Sequence, residues 1–145
     1  MDAIDQQIIA LLVEDARRSY EDIGRRVALS APSVKRRVDA LRESGAIEGF
    51  TAVLDHHAMG RNTEALLELF FAPGTQLDEV ADRLRRHPEI VEAWSVTGDA
   101  DAVARVRTED NAALERLIME LQRDGSVVRT RSVVVLSRLV SAGVS

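Results

Sequence analysis

Residues 19–45 read SYEDIGRRVALSAPSVKRRVDALRESG and contain two helical patterns separated by a short interruption. Ser19 can cap the first pattern, and Ser30 can cap the second. Pro32 is accepted in the first turn of the second pattern because a backbone N–H there has no helical partner anyway. Gly45 stands where helices commonly end in the left-handed conformation. Two helices joined by a tight turn predict a helix-turn-helix.

A further helix is predicted before this stretch. Residues 2–14 place isoleucine and leucine at mostly helical spacing. Asp2 and Asp5 lie in the first turn, where the helix dipole favours negative charge. We therefore predict a three-helix, helix-turn-helix DNA-binding domain over residues 1–47.

Positive charge is concentrated in this part of the chain. Residues 17–42 contain eight basic and three acidic residues, residues 63–145 contain ten basic and fourteen acidic ones, and the whole chain has a formal charge of −5. A basic segment beside an acidic body is typical of a DNA-binding head on a regulatory domain. Solvated helix faces without a nucleic-acid partner are the alternative interpretation.

The third helix carries the predicted DNA-reading surface. Val34, Val38 and Leu41 form its buried stripe, so its opposite, largely polar side would enter the major groove of double-stranded DNA. The residues predicted to face DNA are Ser30, Ala31, Pro32, Ser33, Lys35, Arg36 and Arg37.

The chemistry of these side chains separates their expected contacts. Ser33 and Arg36 can hydrogen-bond to base edges, whereas Lys35 and Arg37 are expected to contact phosphates. Arg37 lies closer to the core edge of the helix, so a carboxylate within the domain is the alternative partner for its guanidinium.

A connecting segment follows the third helix. Residues 46–54 alternate roughly with period two and contain β-forming residues, which predicts a strand leaving the first domain. Residues 55–62 offer few side chains that could build a core. We place a strand and hinge linker over residues 48–62.

Several function classes are disfavoured by residues that the sequence lacks. It contains no cysteine, which removes disulfides, thiolate zinc sites and a cysteine nucleophile. His56 and His57 are adjacent and would diverge, and His87 is the only other histidine, so we predict no metal site. Phosphate-binding glycine motifs and a nucleophile elbow are missing, so we predict neither catalytic residues nor a cofactor.

Hydropathy and the N-terminal residues bear on localisation. No apolar run approaches the roughly 20 residues of a membrane span, and the N-terminus is acidic where a secretory signal would be basic. We therefore expect a cytoplasmic protein with no membrane partner.

The second half of the chain repeats one helical pattern. The stripe of Leu77, Val80, Ala81 and Leu84 recurs 37 positions later as Leu114, Leu117, Ile118 and Leu121. Strands are predicted on both sides of each stripe, over residues 65–71, 90–97, 102–107 and 127–136. This order predicts a ferredoxin-like βαββαβ domain over residues 63–145, so the fold class is α+β.

One face of such a sheet is left open by the two helices. Alternation places Leu66 and Phe70 on that open face, and Ile90 and Trp94 together on one face of the second strand. An open face that carries apolar residues is most simply covered by a second copy. We predict a homodimer through these sheets.

Gly98-Asp99-Ala100-Asp101 joins two predicted strands. A hairpin turn explains these residues by conformation alone, since glycine and aspartate are favoured there. A small-ligand site is the alternative, in which aspartate oxygens accept from an ammonium group and backbone N–H groups bind a carboxylate.

Taken in order, these segments resemble the Lrp/AsnC (feast/famine) family of bacterial and archaeal transcription regulators across nearly the full length. The matching segments are residues 2–12, 15–30, 34–47, 88–91, 96–101 and 128–132. The resemblance implies an N-terminal helix-turn-helix and a C-terminal ligand-sensing domain. It also implies dimers that assemble into octamers or related rings, with an amino acid or related small molecule bound between dimers.

Specific effector-binding residues follow from the resemblance by position. They are Gly98, Asp99, Ala100 and Asp101 in the loop, with Thr130 and Ser132 on the last strand. The family commonly has an aromatic residue where this chain has Ala100, which implies a wider or differently shaped pocket. The implied function is a sequence-specific regulator whose DNA binding or assembly responds to the effector.

Two other functions fit the same architecture. Sirohaem decarboxylases resemble it, but they would need histidine and arginine side chains that face a tetrapyrrole, and the acidic second domain offers few. A stand-alone small-molecule sensor would bind its effector without salt-dependent DNA affinity.

Overall fold

The computed structural model describes residues 1–140, which form two compact units, Met1–Val53 and Leu54–Val140. The first unit contains helices α1 (Ala3–Glu14), α2 (Tyr20–Val27) and α3 (Ala31–Glu43). The second unit contains, in order, β1 (Thr63–Phe71), α4 (Leu77–Leu84), β2 (Ile90–Ser95), β3 (Ala102–Thr108), α5 (Asn111–Gln122) and β4 (Val127–Val134). The predicted α+β fold class is confirmed.

Each helix of the first unit begins at a side-chain cap. Asp2 and Asp5 form a reciprocal capping box on α1, with N–H to oxygen distances of 2.9 and 2.8 Å. The Ser19 hydroxyl accepts from the backbone of Asp22 at 3.1 Å, and the Ser30 hydroxyl accepts from the N–H of Ser33 at 3.3 Å. These caps satisfy N–H groups that the helices cannot pair internally.

One apolar core holds the three helices together. Ile8, Ile23, Val34 and Val38 are fully buried in it, one or two from each helix. The stripe predicted on the third helix is therefore the face that packs inward. Helical spacing identified it because residues three and four apart share a helix face.

The turn between α2 and α3 depends on two small residues. Ala28 has φ 56° and ψ 43°, the left-handed conformation that L-residues adopt at a cost. A Cβ atom added to Gly24 would lie 2.4 Å from the carbonyl oxygen of Leu29, so the turn passes too close for any side chain there. Because Leu29 and Ser30 lead directly into α3, this close approach sets where α3 begins.

The strand predicted over residues 46–54 is wrong. In the structure these residues are irregular, and Ile47 makes a backbone bond to Leu41 rather than to another strand. Alternating side chains suit a strand, but a strand also needs a neighbour to bond with. Within residues 1–140 no such neighbour pairs with this segment.

The second unit is built on a four-stranded sheet in the order β2-β3-β1-β4. All three neighbouring pairs are antiparallel, and β1 bonds to β3 on one side and to β4 on the other. Leu67, Leu69, Ala104 and Val106 point to the face that α4 and α5 cover. This is the ferredoxin-like arrangement that the strand and helix order predicted.

The open face of the sheet carries Leu66, Phe70 and Trp94, as alternation predicted. The prediction that Ile90 shares a face with Trp94 is wrong. The register of β2 shifts between Ile90 and Glu92, so Ile90 lies opposite Val106 and packs against the helix-covered core. A β-bulge adds one residue to a strand and so reverses the face on which the preceding side chains lie.

The left-handed conformation of Ala28 gives a direct test of the turn. Ala28→Gly should raise the free energy of unfolding by about 1 kcal/mol, because glycine adopts positive φ without the clash that alanine suffers. Ala40→Gly, in the exposed interior of α3, is the matched control and should lower it by about 1 kcal/mol. Urea unfolding followed by far-UV circular dichroism measures both. A loss of stability in both variants would contradict the role of the turn.

Candidate DNA-reading helix and effector loop

The N-terminal half of α3 presents a short polar row. The Ser30 and Ser33 hydroxyls lie 2.9 Å apart, and Arg36 Nη2 donates to the Ser33 hydroxyl at 3.1 Å. Ala31 and Pro32 form the first turn beside them. These residues form one continuous surface at the start of the helix, which is the part of a recognition helix that contacts base edges.

Lys35 and Arg36 are both exposed, but they differ in their partners. Lys35 Nζ lies 2.6 Å from Asp39 one turn later. Both side chains are exposed to solvent, so this ion pair contributes little to stability and can be broken at low cost. Arg36 forms no ion pair within residues 1–140, so its guanidinium keeps most of its donors available.

Arg37 is turned inward onto α1. Its Nη1 lies 2.8 Å from Asp2 Oδ2 and 2.8 Å from Asp5 Oδ1. The predicted alternative, a carboxylate within the domain, is therefore the partner that the structure shows. The guanidinium joins the start of α1 to the middle of α3.

The same contacts lower the pKa values of two carboxyl groups. The hydrogen bond from Arg37, followed by the backbone bond from Asp5, lowers the pKa of Asp2 from 3.8 to about 2. The pKa of Asp5 is also lowered, by the backbone N–H of Asp2 first and by Arg37 second. Both groups therefore stay charged in the folded protein to a lower pH than in the unfolded chain.

The loop between β2 and β3 is fixed to the sheet at its end. Asp101 donates its backbone N–H to the Leu69 carbonyl at 3.0 Å, and its Oδ2 accepts from the N–H of Phe71 at 2.8 Å. The Asp101 carbonyl accepts from Val96 at 3.3 Å, across the base of the loop. Gly98 has φ +109°, a conformation that side chains rarely adopt, and the Ala100 side chain is buried.

The six predicted effector residues fall in the loop between β2 and β3 and on β4, which is not a neighbour of either strand that the loop joins. Leu69 lies opposite Ala102 of β3 on one side and opposite Thr130 of β4 on the other. The end of the loop and Thr130 are therefore separated by β1 alone. Ser132 lies opposite Leu67, one position further along the same face of β4. Asp99 is exposed at the loop tip.

The histidine pair lies in a turn of the second unit. Asp55 Oδ1 accepts from the N–H of His57 at 2.9 Å, and His57 Nδ1 lies 3.0 Å from Asn62 Oδ1. Over the residues that the structure describes, no group of three or more histidine, cysteine or acidic side chains could hold a metal ion. Among those residues there is also no helix that is long and apolar enough to cross a membrane.

Comparison with protein families assigns both units. Residues 1–42 match the AsnC-type helix-turn-helix domain, and residues 64–144 match the Lrp/AsnC ligand binding domain. The chain belongs to the Lrp/AsnC family. It is a transcriptional regulator with a helix-turn-helix domain and an Lrp/AsnC ligand-binding domain, which confirms the resemblance in the sequence.

Individual relatives of this Lrp/AsnC regulator align along most of its length. HTH-type transcriptional regulator Rv2324 of Mycobacterium tuberculosis is 42% identical over 97% of this chain and 95% of its own. The leucine-responsive regulatory protein of Rhizobium meliloti is 33% identical over 83% of this chain and 78% of its own. The solved structure of LrpC from B. subtilis has a TM-score of 0.88 at 26% identity, covering 97% and 98% of the two chains. Both sequence relatives are named as regulators, not as enzymes.

The count of basic residues in the sequence overstates the positive charge exposed on the first unit, because several arginines are paired with one aspartate. Asp22 accepts from Arg18 at 2.9 Å and from Arg26 at 3.1 Å, and these two hydrogen bonds lower its pKa to about 2. Arg25 approaches the same carboxylate at 3.5 Å. Both arginines of α2 and the preceding Arg18 are therefore partly neutralised inside the unit.

Two cations of the first unit that the sequence did not single out have no carboxylate partner in the described part of the chain. Arg17 and Arg42 form no ion pair to a carboxylate in the described part of the chain, and Arg42 lies 6.0 Å from the Phe50 ring. No sequence signal separated them from the paired arginines, because an arginine's partner is decided by the packing of the helices.

The Arg37 ion pairs predict how acid affects the first unit. Because the pKa of Asp2 is lowered, its contribution to stability is present above about pH 4 and is lost as the pH falls towards 2. Arg37→Met should therefore lose less stability than the wild type between about pH 7 and about pH 3. Urea unfolding at the two pH values measures this, with Arg116→Met on the exposed face of α5 as control. Equal losses in the wild type and Arg37→Met would contradict the assignment.

The Asp101 contacts predict unequal roles for the two aspartates of the loop. Asp101→Ala should lower the free energy of unfolding of the second unit by about 1 kcal/mol, since it leaves the Phe71 N–H without its acceptor. Asp101→Asn should retain most of the stability because an amide oxygen can accept the same bond. Asp99→Ala, at the exposed tip, should be neutral. Urea unfolding followed by Trp94 fluorescence distinguishes these cases, and a neutral Asp101→Ala would show that the bond is not needed.

Proposed function

We propose that this regulator reads specific DNA sequences with α3 and that an amino acid or related small molecule modulates its DNA binding. The proposal that α3 reads DNA rests on the different partners of its two neighbouring arginines, Arg36 and Arg37. Arg36 stands exposed next to Ser33 with no carboxylate partner among residues 1–140, while Arg37 is held by Asp2 and Asp5. An exposed, uncompensated arginine at the start of a recognition helix is suited to guanine, the commonest specific contact in the major groove.

The other residues of the predicted surface have supporting roles in this proposal. Ser33 contacts a base edge through its hydroxyl, and Ala31 and Pro32 contact thymine methyl groups. Ser30 caps α3 at the surface that meets the DNA. Lys35 exchanges Asp39 for a phosphate, which costs little because the ion pair is exposed. Arg37 acts indirectly, by holding α1 against α3.

The effector part of the proposal places a small polar ligand at the loop between β2 and β3. The site would offer the carboxylate of Asp99, the hydroxyls of Thr130 and Ser132, and the backbone of Gly98, which has no side chain to block it. These groups suit the ammonium and carboxylate groups of an amino acid. Ala100 and Asp101 hold the loop in place beneath them. The name of the leucine-responsive relative at 33% identity supports an amino acid as effector.

The open face of the sheet supports a homodimer. Leu66, Trp94 and Val133 are 37, 46 and 54% exposed there, far more than core residues of a covered sheet. Arg131 and Glu68 form an ion pair between them. Exposed apolar side chains grouped on one sheet face are typical of a surface that a partner covers. Dimers of this kind can assemble further into octamers or related rings.

Binding to DNA from upstream of the protein's own gene tests the proposal. Affinity is measured against random DNA at two salt concentrations, with and without an amino-acid mixture, because phosphate contacts alone give strongly salt-dependent but unspecific binding. We expect preferential binding that changes with an amino-acid pool. Absence of any preference under all four conditions would overturn the proposal.

Arg36→Ala tests the base contact. It should weaken binding to the specific site by about tenfold or more, the value of one good bidentate base contact, and weaken binding to random DNA much less. Arg116→Ala, on α5 of the second unit, is the matched control and should change neither affinity. Equal losses on specific and random DNA would mean that Arg36 contacts only phosphate.

A further inference from the structure

Two of the four basic side chains of α3 are already compensated by carboxylates. The four are Lys35, Arg36, Arg37 and Arg42. Arg37 is held by two aspartates of α1, and Lys35 is held by Asp39 one turn further along α3. Attraction to DNA phosphates, which does not depend on base sequence, is therefore weaker than the number of basic residues implies.

Asp39 lies on the side of α3 that faces away from the core. The buried stripe of the helix is Val34, Val38 and Leu41. At 3.6 residues per turn, Asp39 lies about 130° around the helix from the middle of this stripe and next to Arg36, three positions earlier. The Asp39 side chain is 42% exposed. Its carboxylate therefore belongs to the same surface as the arginine that we propose to contact guanine.

The Asp39 carboxylate contributes little to the fold. Its Oδ2 lies 2.6 Å from Lys35 Nζ, but both side chains are exposed to solvent, where an ion pair adds little stability. Aspartate is also a poorer helix former than alanine. Next to DNA, a carboxylate is repelled by phosphates and by the acceptor atoms of bases. Asp39 therefore weakens binding to any sequence that offers its carboxylate no hydrogen-bond donor.

The major groove of DNA contains one base that suits a carboxylate. Guanine presents two acceptors there, and thymine presents an acceptor and a methyl group. Adenine presents an amino group beside the acceptor N7, whereas cytosine presents its N4 amino group alone. The N4 amino group of cytosine is therefore the best partner for an aspartate oxygen.

We propose that Asp39 is a specificity-determining residue that recognises cytosine. In the free protein its carboxylate holds Lys35. At the specific site Lys35 moves to a phosphate, and the freed carboxylate accepts a hydrogen bond from cytosine N4. On other sequences no amino group replaces Lys35, so the ion pair stays closed and the phosphate contact is not made.

The geometry of the helix limits where this cytosine lies. Cβ atoms three positions apart on a helix are about 5–6 Å apart, and successive bases of one strand rise by about 3.4 Å. We therefore expect the cytosine within about two base pairs of the guanine that Arg36 contacts. The inference rests on the proposed function in one respect, namely that α3 reads DNA.

Replacement of single base pairs in the binding site tests the inference. The full-length protein is titrated by fluorescence anisotropy against the shortest upstream segment that the wild type prefers, against copies with one base pair replaced, and against random DNA. For the wild type, replacing the guanine or the cytosine should each weaken binding about tenfold, because each replacement removes one hydrogen-bonded contact to a charged side chain.

Three variants assign the two positions to their side chains. Arg36→Ala should lose discrimination at the guanine only, and Asp39→Ala should lose it at the cytosine only. Asp39→Ala should also bind random DNA several-fold more tightly, and its slope of log affinity against log salt should steepen by about 0.9, since the released Lys35 gains one phosphate contact. Asp39→Asn should move the preference at that position from cytosine to adenine, because an asparagine amide pairs with N6 and N7 of adenine.

Glu115→Ala is the matched control. Glu115 is exposed on α5 of the second unit, so this substitution removes the same charge outside the DNA-reading helix and should change neither affinity for random DNA nor base preference. Far-UV circular dichroism checks that the variants keep their helices. An equal gain on random DNA in Glu115→Ala and Asp39→Ala would show an effect of net charge alone and would overturn the inference.

The other contrary results can be told apart. If Asp39→Ala keeps the wild-type discrimination at every position while Arg36→Ala loses it at the guanine, Asp39 reads no base, and the inference fails while the proposed function stands. If Asp39→Ala binds random DNA more weakly, the carboxylate orients Lys35 towards phosphate and does not withhold it, which also overturns the inference. If the wild type prefers no sequence, the proposed function fails, and the inference fails with it.

Discussion

The two-sided pairing of β1 is the constraint on which the second unit depends. Leu67 and Leu69 are fully buried, and the backbone around them bonds to β3 on one edge and to β4 on the other. A shift of one residue in this central strand would turn its buried side chains to the open face. The spacing between the loop end and Thr130 is therefore set by the register of β1, whatever the sequence of the loop itself.

The first unit is held by a few specific contacts around a small core. Three helices can bury little surface, so contacts between particular groups matter more. The absence of a side chain at Gly24 lets the turn close, and Arg37 links two helices that the turn does not join. These contacts also decide which arginines remain exposed, so the stability of the unit and its electrostatic surface are set by the same ion pairs.

The periodicity of apolar residues predicted nearly all of the helices and strands, because the spacing of apolar residues along the chain decides which face of a helix or strand is buried. It failed where a distant group decides the outcome. The alternation at residues 46–54 is compatible with a strand, but it does not show whether another strand lies beside the segment. The β-bulge that moves Ile90 to the other face of the sheet has no signal in the neighbouring sequence. The same holds at the sites: the partners of Arg37 and Asp101 lie about 30 residues away in the chain, beyond any motif.

The groups that fix the loop between β2 and β3 to the sheet differ from the side chain that the loop exposes at its tip. Its anchoring uses backbone groups of Leu69 and Phe71 and one aspartate, and none of these bonds involves the side chains at positions 98–100. Asp99, exposed at the tip, can therefore change without unfolding the turn, whereas the backbone conformation of Gly98 and the burial of Ala100 disfavour larger residues there. A substitution at position 99 therefore changes the charge that the loop presents to solvent, while the bonds that fix the loop to β1 stay the same.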